Sequence, residues 1–80
     1  MWYVYILECG DGSLYTGATT DLKRRVEEHK RGEGAKYTKI RGVKRLVYSE
    51  RKRTRSTAQK REAVIKQLTR LEKKRLIQRR

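Results

Sequence analysis

The sequence predicts a small α+β domain of order β-β-α-β-α-α, a three-stranded antiparallel sheet flanked by helices. Two observations carry that expectation. The stretch WYVYILE, residues 2–8, is aromatic and β-branched, and a glycine-bearing turn sends LYTGA, residues 14–18, back beside it as a hairpin. Further on, three segments take up helical spacing, each opened by a residue able to cap an N-terminus, with strand-like VKRLVYSE, residues 43–50, after the first of them. Strands and helices grouped in this way pack as helices on a sheet. The chain has 80 residues and no proline, and it shows no linker or internal repeat, so it reads as one domain over residues 1–80.

Each element has a local cause. The turn CGDGS has Gly10 and Gly12, which accept positive φ without a steric penalty. Thr20 can cap the first helix, with Asp21 favourably placed at the positive end of its dipole, and the helix should stop near Gly32 and Gly34. GAKYTKIRG, residues 34–42, is polar and cationic and reads as loop. Ser56 with Gln59 makes a capping box that opens a helix to about Leu68, its buried stripe formed by Ala58, Val64, Ile65 and Leu68. Thr69 with Glu72 repeats the box for a final helix over 70–78.

Charge narrows the function. Against 23 Lys and Arg stand 9 Asp and Glu, a net charge of +14 that repels itself in the folded state and favours a polyanionic partner. Nucleic acid is the first candidate. A membrane is not expected, because the longest apolar run, Trp2 to Leu7, falls far short of the roughly 20 residues a span needs. Cys9 is the single cysteine, which excludes an internal disulfide and a thiolate zinc cluster and makes a reducing cytoplasm the expected location. Such a short chain buries only about 60% of its unfolded surface, so a polar side chain in a core position is costly and needs a reason.

Several residues occupy such positions. Arg25 and His29 share the arc of the first helix that carries Leu22 and Val26, and as i, i+4 neighbours their heads can converge. Glu62 sits at the margin of the apolar stripe of the second helix, where the plain alternative is an i, i+4 ion pair with Lys66. If the turn has an odd number of residues, Gly10 to Gly12, Tyr5 falls opposite Gly17 and Leu7 opposite Tyr15, so both phenols leave one sheet face, whereas a two-residue turn would put them on opposite faces; the bare Gly17 would leave room beside Tyr5 for a ligand. Taken singly, each has an ordinary explanation: strand packing for the tyrosines, a snorkelling arginine, a satisfied core histidine. As a set, they offer an acid or base, a phosphate binder and a hard-cation ligand.

Tyr3-Val4-Tyr5, with Tyr15-Thr16-Gly17 ten residues on, resembles the paired signature of the GIY-YIG nuclease superfamily. Leu22 to His29 resembles that family's arginine-bearing helix, and AQKREAVIKQL resembles the segment with its metal-binding glutamate, which falls on Glu62. GAKYT and LVYSE resemble its small stand-alone branch, of the YhbQ/UPF0213 type. Tyr3 stands where the signature has glycine, and Ala18 where repair-type members carry lysine. The resemblance implies phosphodiester hydrolysis with one Mg²⁺ or Mn²⁺ held by Glu62. Arg25 would bind the scissile phosphate, Tyr5 would take a proton from the attacking water, and Tyr15 and His29 would orient water and phosphate. Metal and nearby cations would have to lower the phenol's pKa from about 10. Gly17, Lys36, Tyr37, Lys39 and Arg41 would contact nucleic acid, with Lys44, Arg45 and the run Arg51 to Arg55 as further backbone-tracking cations. DNA, single-stranded or structured, is the expected substrate, with RNA as a further candidate, for a monomer or weak homodimer. The competing expectations are a non-catalytic nucleic-acid-binding module that retains the fold and a basic ribosome- or RNA-associated protein.

Overall fold

The computed structural model describes residues 1–79. Its elements are β1 (Trp2–Cys9), β2 (Leu14–Thr19), α1 (Leu22–Lys30), α2 (Lys36–Arg41), β3 (Val43–Lys52), α3 (Arg55–Lys66) and α4 (Arg70–Gln78). The α+β class and the antiparallel three-stranded sheet are as expected, with strand order β2-β1-β3 and β1 in the centre. Because side chains alternate along β1, it feeds two cores. Val4 and Ile6 pack with Tyr48, Ala58 and Ile65 under α3 and α4, while Tyr5 and Leu7 pack with Val26 under α1.

Four local expectations are corrected. Residues 36–41, expected as loop, form the short helix α2, which no side chain caps at Ala35; Gly42, at φ 74°, ends it. It persists because Thr38 is buried, 1% exposed, beneath α1. The second predicted helix starts two residues early. Thr54, not Ser56, is its N-cap, and the Thr57 hydroxyl completes the box in place of Gln59. Val64, expected in the core, is 50% exposed, since it lies on the flank of the narrow arc centred on Ala58 and Ile65.

Asp21 rather than Thr20 caps α1, its carboxylate accepting from the Arg24 backbone N–H at 3.1 Å. The Thr69 and Glu72 box opens α4 as expected. No helix among the described residues is long and apolar enough to cross a membrane.

Candidate active site

The hairpin turn decides which side chains meet. Cys9 donates its N–H to the Ser13 carbonyl at 2.8 Å, enclosing the odd loop Gly10–Gly12 with Gly12 at φ 85°. The register is therefore Tyr5 opposite Gly17 and Leu7 opposite Tyr15, and both phenols leave the face that α1 covers.

On that face the Tyr5 Oη lies 2.8 Å from His29 Nε2, and both residues are 1% exposed. His29 Nδ1 lies 2.7 Å from the Thr38 hydroxyl of α2, which is also 3.1 Å from the Ala35 carbonyl. Tyr15 tilts against the same imidazole at 5.1 Å between ring centroids. Tyr37 of α2 lies 5.8 Å from Tyr15, and the Arg41 guanidinium sits 3.9 Å from the Tyr37 centroid, anchored to Asp11 at 3.2 Å. A row of rings thus runs from the buried histidine out to the cationic surface of α2, where Lys36 and Lys39 are exposed.

Gly17 has a different use from the one expected. A Cβ there would stand 2.5 Å from Tyr5 Oη and 2.6 Å from its Cζ, so the phenol itself occupies the space expected to admit a ligand. Gly34, which the sequence marks only as a helix stop, is needed for a similar reason: a Cβ there would collide with the His29 ring. Arg25 is already engaged, donating from Nη1 to Glu28 at 3.0 Å and from Nη2 to the Gly34 carbonyl at 3.1 Å. These bonds orient the guanidinium and leave further N–H groups of its five-donor fork for an anion.

Burial, then the neighbouring Tyr15, pushes the Tyr5 phenol up to about 12, outweighing the lowering effect of Arg25. The expected lowering by surrounding cations is thus not achieved by the protein's own residues. Burial, then Arg25, pushes His29 below the usual histidine range, which leaves it neutral at pH 7.

Glu62 comes from α3, which packs on the opposite face against β1 and β2. Its carboxylate pairs with Lys66 at 2.8 Å, as the plain reading expects, yet it is half-buried and its charge still registers at Tyr5. Glu62 foremost, with Tyr15 adding a smaller part, pushes the Lys66 ammonium above its ordinary pKa. Among the described residues no three His, Cys, Asp or Glu side chains cluster to form a metal cage. A hard cation held by this single half-buried carboxylate would have to displace Lys66 and keep most of its shell as water.

Tyr5, Tyr15, Arg25 and His29 therefore form one cluster, with Glu62 at electrostatic range. Lys36, Tyr37, Lys39 and Arg41 form the adjoining rim. A concavity of about 580 Å³ between α1 and the sheet, lined by Leu22, Val26 and Leu46, contains none of these residues, and Tyr5 and His29 are buried rather than set in an open cleft. Sequence reasoning missed Glu28, Gly34 and Thr38. Only the quoted GAKYT pattern and, for Gly34, the helix stop marked the last two, and neither assigned them a role in the site.

Comparisons with known proteins show the family. The GIY-YIG catalytic domain model matches residues 1–75. A UPF0213 protein of Staphylococcus aureus strain Mu3 is 56% identical over 78 residues, covering 98% of this chain and 95% of its own. The solution NMR structure of UPF0213 protein BH0048 from Bacillus halodurans is 48% identical, with TM-score 0.62 over 98% of this chain and 84% of that one. The solution NMR structure of EF2693 from E. faecalis is 46% identical, with TM-score 0.63 over 95% and 81% of the two chains. With the paired tyrosines and Gly17 on one hairpin and the arginine–histidine helix folded across them, the chain belongs to the GIY-YIG nuclease family, among the UPF0213 proteins.

Proposed function

We propose that this protein is a divalent-cation-dependent endonuclease that hydrolyses phosphodiester bonds of DNA, favouring single-stranded or structured DNA, with RNA a further substrate. The observation that carries the reading is the buried contact between Tyr5 and His29. A phenol and a neutral imidazole at 2.8 Å are placed to move a proton. The Glu62 carboxylate would hold Mg²⁺ or Mn²⁺, which when bound supplies charge neutralisation at the phosphoryl and leaving oxygens.

The protein's own residues do the rest. Arg25, fixed by Glu28 and the Gly34 carbonyl, presents its remaining N–H groups to the scissile phosphate. Once bound substrate admits a water to Tyr5, which is 1% exposed in the free chain, that water attacks phosphorus in line with the 3′ oxygen and gives its proton to Tyr5 Oη. The P–O3′ bond breaks, and the 3′ oxygen takes a proton from solvent, whose hydroxide later collects the proton left on His29. With its own pKa near 12, the phenol is a poor reservoir of tyrosinate. It therefore passes its original proton to His29 Nε2 as the water's proton arrives, and no free tyrosinate is needed. Tyr15 packs against the imidazole and helps to hold the approach. Lys36, Tyr37, Lys39 and Arg41 line the approach for the rest of the strand, cations along phosphates and the ring beside bases. The protein acts as a monomer or weak homodimer in the cytoplasm, a location compatible with the buried free thiol of Cys9.

Incubation of labelled single- and double-stranded DNA with the purified protein tests the reading. Strand scission is expected with Mg²⁺ or Mn²⁺, fastest on the single strand, and none in EDTA. Retention of DNA without scission at saturating Mn²⁺ would replace the enzyme with a basic binding module.

A further inference from the structure

The relay proposed above requires His29 Nε2 to be the nitrogen without a proton, and a second buried residue decides this. Thr38 has one hydroxyl proton and two neighbours for it: His29 Nδ1 at 2.7 Å and the Ala35 carbonyl at 3.1 Å. A carbonyl cannot donate, so the Ala35 carbonyl, which also accepts from the Lys39 N–H at 2.9 Å, keeps its Thr38 bond only if Thr38 gives its proton there. Its oxygen must then accept from Nδ1–H. The other end of the chain gives the same answer. The phenol proton needs an acceptor, which His29 Nε2 provides at 2.8 Å. Both ends select one arrangement, in which Tyr5 O–H donates to Nε2, Nδ1–H donates to Thr38, and Thr38 O–H donates to Ala35. Tyr5, His29 and Thr38 are each 1% exposed, so in the free chain bulk water does not compete for these bonds.

We propose that Thr38 is a positioning residue that holds His29 in its Nδ1–H form and so keeps Nε2 open to the proton leaving Tyr5. This role also accounts for α2: a six-residue helix without a side-chain cap is retained where it brings one hydroxyl under an imidazole. The catalytic part of the proposal rests on the nuclease reading. The tautomer part does not, because it follows from hydrogen-bond satisfaction alone.

His29 is the only histidine of the chain, so its ring nitrogens can be read without assignment ambiguity. The test is a long-range ¹H–¹⁵N NMR spectrum of the full chain at about pH 8, above the ordinary histidine range near 6.5, paired with single-turnover cleavage. Wild type is expected to show a protonated Nδ1 and a bare Nε2. Thr38→Val, close to isosteric, should lose the pure Nδ1–H signature and at least about tenfold in kcat, less than the about hundredfold or more a positioned acid or base supplies because the imidazole itself is kept, with KM unchanged. Thr38→Ser keeps the hydroxyl and should restore both. A protonated Nε2 in wild type would overturn the proposal, as would Thr38→Val keeping the wild-type spectrum and rate. If the valine substitution unfolds the chain, the spectra of wild type and Thr38→Ser still decide the tautomer. If wild type has the expected tautomer but cuts no nucleic acid, the nuclease reading fails while Thr38's control of the ring stands.

Discussion

Glu62→Gln should remove metal-dependent cleavage and leave DNA binding in EDTA level or slightly tighter. The amide keeps the side chain's shape and one oxygen but loses the charge that draws a hard cation. Losing a metal's stabilisation of the phosphoryl group is a matter of several kcal/mol, and about 1.36 kcal/mol is tenfold in rate, so a fall of about a thousandfold or more is expected. Stability should barely change, because the Lys66 partner is 53% exposed and such an i, i+4 pair contributes only a few tenths of a kcal/mol. Binding is spared because a carboxylate in a chain of net charge +14 only weakens the attraction to phosphates. Cleavage in Mn²⁺ and filter binding in EDTA separate the two effects. A wild-type cleavage rate in Glu62→Gln would reduce Glu62 to a surface partner of Lys66.

Gly17→Ala should damage stability and chemistry together. The added methyl would lie 2.5 Å from Tyr5 Oη, and Tyr5 is anchored in the central strand between β2 and β3, so the backbone cannot withdraw. The ring must swing away from His29. Overpacking costs about 1–3 kcal/mol. A buried imidazole left without its partner costs about 1–3 kcal/mol more. Each kcal/mol is about 4–8 °C in a domain this small, so the melting temperature should drop by about 10 °C or more, with cleavage lost below the transition. Calorimetry and the cleavage assay check this. An unchanged melting temperature would mean that the phenol does not lie over residue 17.

How far the sequence could be read follows from how local each cause was. The strands, the hairpin register and the start of the last helix depend on composition, loop length and one capping box, all visible within a few residues. The helix α2 was not visible, because its capless six residues are held by Thr38 under His29, nine positions away in the chain. For the same reason Val64 was misplaced: helical spacing marks an arc but not its width, which the packing of Ala58 and Ile65 sets. In the site, the phenols, the arginine and the histidine were legible as polar groups in apolar positions. What Gly17 and Gly34 do there was not, because a missing side chain shows its purpose only when a neighbour fills the space. Nor could the sequence give the direction of the Tyr5 pKa shift, which depends on burial outweighing Arg25.

The central claim is that Tyr5, through His29, takes the proton of the attacking water, and Tyr5→Phe tests it most directly. The substitution removes one oxygen from a ring that is otherwise kept, so Gly17 and the packing of β1 are undisturbed. Its single-turnover rate should be compared with wild type at saturating DNA and Mn²⁺. We expect a loss of at least about a hundredfold, the lower end of what a positioned acid or base supplies, with DNA affinity in EDTA unchanged. A Tyr5→Phe variant that cuts as fast as wild type would contradict the account.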